Sequence, residues 1–284
     1  MFFFVHDRTA CHDYPFTHRN IIKYLAVDYD KKERYFLETK FSDENDAEVI
    51  FNWYNPARFK LKEIINDIPK KALIFSNYMR KDSAFDSINS ACSQLNIKLN
   101  IVGKNSGKSI MKPENILADY DIVFAKAKAG IEALSTGASL IICDCNGLAG
   151  MVLLENVERY RKYNFGMKLM TKHVTTDLIV EELNKYNSKD ALLVSKYVRQ
   201  NSSFISIVTQ LEELYLNSIK EYILVGRGKY GSSLLNYGKI IFITRHLYLY
   251  PRMLRIKFFK VLIIILKTLL HPIRKSKDNN TNNS

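Results

Sequence analysis

No apolar run in this sequence approaches the roughly 20 residues that a helix needs to cross a bilayer. Val261–Leu266 is far shorter, and Met1-Phe-Phe-Phe-Val5, which has no basic start and reaches His6-Asp7-Arg8 at once, is too short to be expected as a signal peptide. The four cysteines, Cys11, Cys92, Cys143 and Cys145, show neither a disulfide framework nor zinc spacing. Cys143-Asp-Cys145 has no second pair to complete a metal site, so buried thiols in a reducing cytoplasm are expected. A dinucleotide fingerprint and internal repeats are absent too. Ile101-Val-Gly-Lys-Asn-Ser-Gly-Lys-Ser109 has the wrong glycine spacing for a P-loop, and Met111-Lys-Pro113 interrupts any following helix. Acid is scarce relative to base: 29 acidic residues face 42 lysines and arginines, a net charge of +13. Such a balance favours a polyanionic or membrane-surface partner.

What is present reads as a globular chain. Of its 284 residues 47% are hydrophobic and 25% charged, which excludes a disordered protein and leaves room for one large or two small domains. Short apolar runs predict buried strands at Phe2–Val5, Tyr24–Val27, Val49–Phe51, Ala72–Ser76, Lys98–Val102, Asp121–Ala125 and Ser139–Asp144. Helical patterns fall between them at Lys31–Thr39, Ala84–Leu95, Pro113–Ala118 and Gly130–Ser135. After Asp144 only helices are expected, at about Leu153–Tyr163, Thr176–Lys185, Lys189–Gln200 and Ser203–Tyr222. The alternation predicts an α/β fold, a Rossmann-like parallel sheet with flanking helices. Ligands of such sheets bind at the carboxyl ends of the strands. Here those ends are Ser76-Asn77, Gly103, Ala125-Lys126 and Asp144, followed by Gly147. An apolar strand at Met1–Val5 with no element before it leads us to expect a chain missing its front.

The segment Asp121–Asp144 carries the most chemistry. It reads as strand, loop, helix, glycine stop and strand, with Lys126 and Lys128 in the loop and Glu132 within about one turn of the helix start. Free amides and the helix dipole at such a start favour phosphate. A carboxylate one turn in suits the hydroxyls of a ribose. The competing reading of Lys128 and Glu132 is a surface pair four residues apart on a helix.

Tyr120-Asp-Ile-Val-Phe-Ala-Lys126 followed by Ile131-Glu-Ala-Leu-Ser-Thr-Gly137 resembles the donor-binding motif of GT-B glycosyltransferases of the retaining, group 1 type. Other segments agree in order. Val49–Phe59 is similar to the family's crossing into its second domain, and Lys71–Lys81 to that domain's first strand and phosphate-facing loop. Gly147-Leu148-Ala149-Gly150 resembles a glycine loop after the ribose strand, and Asn164-Phe-Gly166 a later turn. The match covers about Tyr24 to Tyr222.

The resemblance implies a metal-independent transferase with no resident cofactor, its nucleotide-sugar donor (UDP- or GDP-linked) entering as substrate. It implies a ribose contact at Glu132 and donor contacts at Asn77, Arg80, Lys81, Gly103, Lys126, Lys128, Gly130 and Gly147–Gly150. For Arg80 and Lys81 a solvated loop is the alternative. His6 follows a strand, where such enzymes keep a histidine near the reacting sugar, and is the catalytic candidate; His12 and His18 lie close in sequence. The sequence departs from the family at two places. A glutamate that usually touches the transferred sugar would fall on Phe124, and only the last portion of an N-terminal domain has a counterpart. The expected division is 1–70 for that remnant and linker, 71–223 for the donor domain and 224–284 for a basic tail.

The tail supplies much of the charge. Leu247–Leu270 interleaves lysines and arginines with aromatics and aliphatics, the pattern of a helix lying in a bilayer interface with its cations toward anionic headgroups. A helix packed on its own domain is the alternative. The expectation is a peripheral protein at the inner face of a membrane, acting on a glycan or lipid-linked acceptor in cell-surface glycan assembly. A non-catalytic or split subunit, with a partner chain supplying the acceptor domain, is the second reading. Nucleic acid is not an expected partner, because the bases are not clustered with stacking aromatics.

Overall fold

The computed structural model describes residues 2–7, 13, 15, 21–38 and 47–225. The expectations for His12, His18 and the basic tail fall outside these residues. Two sheets face each other. The first is parallel, in the order β1 (Phe2–Val5), β2 (Lys23–Ala26), β3 (Ala47–Val49), with α1 (Tyr29–Glu38) between the last two strands. The second runs β5 (Lys98–Val102), β4 (Lys71–Phe75), β6 (Ile122–Ala125), β7 (Ser139–Asp144), β8 (Gly147–Met151). Its first four strands are parallel, and β8 is antiparallel to β7. Helices α2 (Ser83–Gln94) and α5 (Thr176–Leu183) pack with one face of this sheet, and α3 (Ala127–Ser135) and α6 (Ser188–Asn201) with the other. This is the expected α/β fold.

Local sequence explains the elements. Every residue of β6 and β7 is buried, the signature of central parallel strands covered on both faces. Asp82 caps α2 by accepting from the Phe85 amide, and Asn187 caps α6 through the amides of Lys189 and Asp190. The helix expected at Pro113–Ala118 is instead two single 3-10 turns, Pro113–Asn115 and Leu117–Asp119, parted at Ile116. A further correction concerns Gly147–Gly150. These residues form most of strand β8 and not a loop, so strands do not stop at Asp144. Gly147 has φ +150°, and a Cβ there would lie 2.9 Å from the Lys172 carbonyl oxygen; at Gly150 a Cβ would press on the Glu182 carboxylate, which accepts from the Met151 amide at 2.8 Å. The glycines of this segment thus serve packing beneath the strand.

Helix α7 (Phe204–Val225) leaves the second sheet and returns to the first. The crossing is tied at Tyr54, whose amide donates to the Ser202 carbonyl and whose carbonyl accepts from the Phe204 amide, each at 2.9 Å. Ile207, Leu211 and Leu214 pack with Leu25, Ile50, Phe2 and Phe4, and the rings of Phe2 and Tyr215 stack at 4.2 Å. Among the described residues no helix is long and apolar enough to cross a membrane.

The carboxyl ends of β4 and β5 approach closely at Gly103, where φ is +150° and a Cβ would lie 1.9 Å from the Ser76 carbonyl oxygen. Gly103→Ala is therefore expected to cost more than about 2 kcal/mol, since backbone must move to admit one methyl group. Urea unfolding of the variant checks this.

Candidate functional site

The carboxyl ends of both sheets open onto one cleft of about 620 Å³, within the size range of ligand sites. One wall comes from the first sheet: His6 and Asp7 after β1, then Val27, Asp28, Asp30 and Lys31 after β2. The other comes from the second: Phe75–Tyr78 after β4, Lys126–Ala129 at the start of α3, and Asn164 with Gly166–Lys168 after α4 (Val157–Lys162).

Lys126 follows β6 directly and leads into α3. Its ammonium lies 2.5 Å from Asp144, a fully buried carboxylate at the end of β7 whose Oδ2 accepts no other hydrogen bond. The same ammonium sits 4.6 Å from the centre of the Tyr78 ring. Asp144 Oδ1 accepts from the amide and the side chain of Asn146. Helix α3 has no side-chain cap. Its first amide, of Ala127, donates to the Phe165 carbonyl, and the next two, of Lys128 and Ala129, find no acceptor among the described residues. Uncapped amides at a helix start, beside two lysines, make an anion-binding corner.

Backbone strain collects at this corner. Ala127, Asn164 and Phe165 all have positive φ, at +50°, +54° and +49°. Each left-handed non-glycine residue costs about 1 kcal/mol or more and persists only where its surroundings hold it. Here the Ala127–Phe165 hydrogen bond joins the strained positions.

Of the residues expected from sequence, His6, Asn77, Lys126 and Lys128 line the cleft. Lys128 donates to the Trp53 carbonyl at 2.5 Å and lies against the indole; burial of its ammonium lowers its pKa, and Arg58 adds to this while Glu132 opposes it. Asn77 Oδ1 accepts from the Lys104 amide, bracing the ends of β4 and β5. His6 is exposed, and its amide donates to Asp13.

The remaining candidates do not line the cleft. Helix α3 begins at Ala127, three residues before the expected start, so Glu132 stands in the second turn and faces Lys128, Arg58 and Glu114. Burial raises the pKa of Glu132, against the pull of Lys128 and Arg58. Gly130 lets α3 settle on β7, since a Cβ would come 2.7 Å from Leu140; Gly103 serves the contact with Ser76 described above. Arg80 and Lys81 are exposed beyond the rim, and Gly147, Leu148, Ala149 and Gly150 belong to β8.

The structure also adds residues to the site. Asp28 and Asp30 form an Asp-x-Asp pair on the first wall, both buried, with Lys31 at 3.1 and 3.2 Å and Lys168 at 3.7 Å from Asp30. Burial raises the pKa of Asp28 although Lys31 opposes it. The strand-end rule that located the second sheet's residues would have found this pair at the end of β2. Asn164 falls in the Asn164-Phe-Gly166 turn that the resemblance marked without giving it a contact, and Lys168 carries no signal. Among the described residues no three His, Cys, Asp or Glu side chains are grouped to hold a metal ion.

No protein-family model and no curated protein matches this chain. Among solved structures, a glycosyltransferase from Rickettsia africae ESF-5 is similar over 70% of this chain and 64% of that one, at 14% identity and a TM-score of 0.51. The pneumococcal O-GlcNAc transferase GtfA in complex with UDP and GlcNAc aligns over 70% and 46% of the two chains, at 10% identity and a TM-score of 0.46. The lipopolysaccharide outer core galactosyltransferase WaaB in its apo form aligns over 71% and 62%, at 13% identity and 0.43. The likeness to the Rickettsia protein is one of fold, and the chain spans less than two thirds of that protein's length.

Two outcomes follow from the geometry. Lys126→Met should cost about 3 kcal/mol by stranding the buried Asp144 carboxylate, and adding Asp144→Asn should recover most of the loss in urea unfolding. Glu132→Gln should stabilise the protein at pH 7. The folded state raises the pKa of Glu132 above its ordinary 4.5, so ionisation opposes folding above that pH. The gain should vanish as the pH falls below 4.5, where the glutamate is neutral in both states; unfolding curves at pH 7 and pH 4 check it.

Proposed function

We propose that the protein is a glycosyltransferase that binds a UDP- or GDP-linked sugar in this cleft and passes the sugar to a glycan or lipid-linked acceptor. The observation that carries the reading is the uncapped start of α3, with the amides of Lys128 and Ala129 and the ammonium groups of Lys126 and Lys128 at one corner of an inter-sheet cleft. Its fold likeness to a solved glycosyltransferase supports the same reading.

The diphosphate sits on the α3 amides. The nucleoside extends along the first turn of α3 past Lys128, and the sugar points into the cleft. During transfer the acceptor hydroxyl oxygen bonds to the anomeric carbon, the bond from that carbon to the phosphate oxygen breaks, and the nucleoside diphosphate leaves with the electron pair. Helix amides and lysines stabilise the charge that develops on it. His6 lines the opposite wall, and in this reading it takes the acceptor's proton. The basic, apolar sequence of Leu247–Leu270 supports a peripheral position at the inner face of a membrane, where lipid-linked acceptors of surface glycans are met.

Titration calorimetry with UDP, GDP and their sugars tests this. One nucleotide is expected to bind, and Lys128→Ala to weaken it about tenfold, the worth of a charge-assisted hydrogen bond. Arg80→Ala, outside the cleft, should leave affinity unchanged. No binding by the unmodified protein, or equal binding by Lys128→Ala, would contradict the assignment.

A further inference from the structure

The turn that follows α4 holds one polar side chain whose chemistry is unspent. Asn164 lines the cleft, is 5% exposed, and its Oδ1 has no hydrogen-bond partner. Its backbone is satisfied. The Asn164 amide donates to the Arg161 carbonyl at 2.7 Å, the Phe165 amide to Tyr160 at 2.9 Å, and the Gly166 amide to Tyr163 at 3.0 Å. The left-handed conformation at φ +54° does not require asparagine; glycine adopts it with less strain. A buried carboxamide oxygen without a partner is costly unless a ligand supplies one.

The kind of ligand group follows from the missing partner. Oδ1 accepts and therefore needs a donor. Phosphate oxygens at the α3 amides offer none, whereas a sugar hydroxyl does, and the hydroxyl oxygen can also accept from the same carboxamide. The turn adjoins the phosphate corner directly, because the Phe165 carbonyl accepts from Ala127, the first residue of α3. Asn164 thus stands next to whatever the diphosphate carries. Phe124, where a sugar-contacting glutamate would otherwise fall, is fully buried in the sheet and has no polar group to offer.

We propose that the Asn164 carboxamide hydrogen-bonds a hydroxyl of the sugar carried on the diphosphate and so selects the donor's sugar. The assignment rests on the nucleotide-sugar reading of the cleft. Calorimetric affinities for the free nucleoside diphosphate and for the nucleotide-sugar, taken as a ratio, separate the two. Asn164→Gly keeps the left-handed turn and removes the carboxamide. It should bind the diphosphate within about twofold of the unmodified protein, yet lose about tenfold in preference for the sugar-bearing form, one ordinary hydrogen bond. Asn164→Asp keeps an acceptor at the same place and should hold the ratio near its original value, with both variants unfolding cooperatively near the original temperature. A ratio unchanged by Asn164→Gly would mean that the residue serves only the turn and would overturn the proposal. If the unmodified protein binds neither UDP, GDP nor their sugars, the nucleotide-sugar reading falls, and the Asn164 assignment with it.

Discussion

The buried ion pair between Lys126 and Asp144 is the fixed point of this molecule. It joins the carboxyl ends of two adjacent central strands and sets the direction in which α3 departs. A carboxylate with no exposure cannot stay charged in the protein interior without a partner, so the lysine at this position is constrained by stability as well as by any ligand. With Lys126 held, the chain turns through a left-handed Ala127 and presents the next two amides to the cleft. The turn after α4 leans on the same point through the Phe165 carbonyl. Strain, ion pair and free amides are therefore features of one corner.

The rest of the fold brings a second wall to that corner. Parallel strands send their carboxyl ends the same way, and the two sheets are arranged so that these ends face each other. The return of α7 to the first sheet and the Tyr54 crossing bind the halves together close to the start of α3, where Lys128 donates to the Trp53 carbonyl. Charge is divided across the gap. The first wall carries Asp28 and Asp30 held by Lys31, and the second carries the lysines and amides of α3. A ligand with an anionic end and a hydroxyl-rich end matches this division.

Much of the architecture was legible in the residues. Apolar runs at Phe2–Val5, Lys98–Val102 and Ser139–Asp144 gave strands with the observed bounds, because buried parallel strands leave an uninterrupted hydrophobic signal. β8 did not show, since Gly-Leu-Ala-Gly-Met has weak strand propensity and is held by its register with β7. The lining of the cleft was legible near strand ends, at Asn77, Lys126 and Lys128. It was not legible where it depends on helix phase, as at Glu132, because moving the start of α3 from Gly130 to Ala127 moves every residue around the axis. Glycines misled for a different reason. Gly103, Gly130, Gly147 and Gly150 each answer to a neighbour distant in sequence, which spacing cannot reveal. The resemblance marked the turn at Asn164-Phe-Gly166 but not its side chain, since an unpartnered oxygen exists only once the fold surrounds it.

The function proposed for the cleft requires that the start of α3 receive a diphosphate. A crystal structure of the protein with bound UDP or GDP tests it most directly. Phosphate density is expected within hydrogen-bonding distance of the Lys128 and Ala129 amides, at the corner formed with Lys126. Phosphate bound elsewhere in the cleft, with those amides facing solvent, would contradict it.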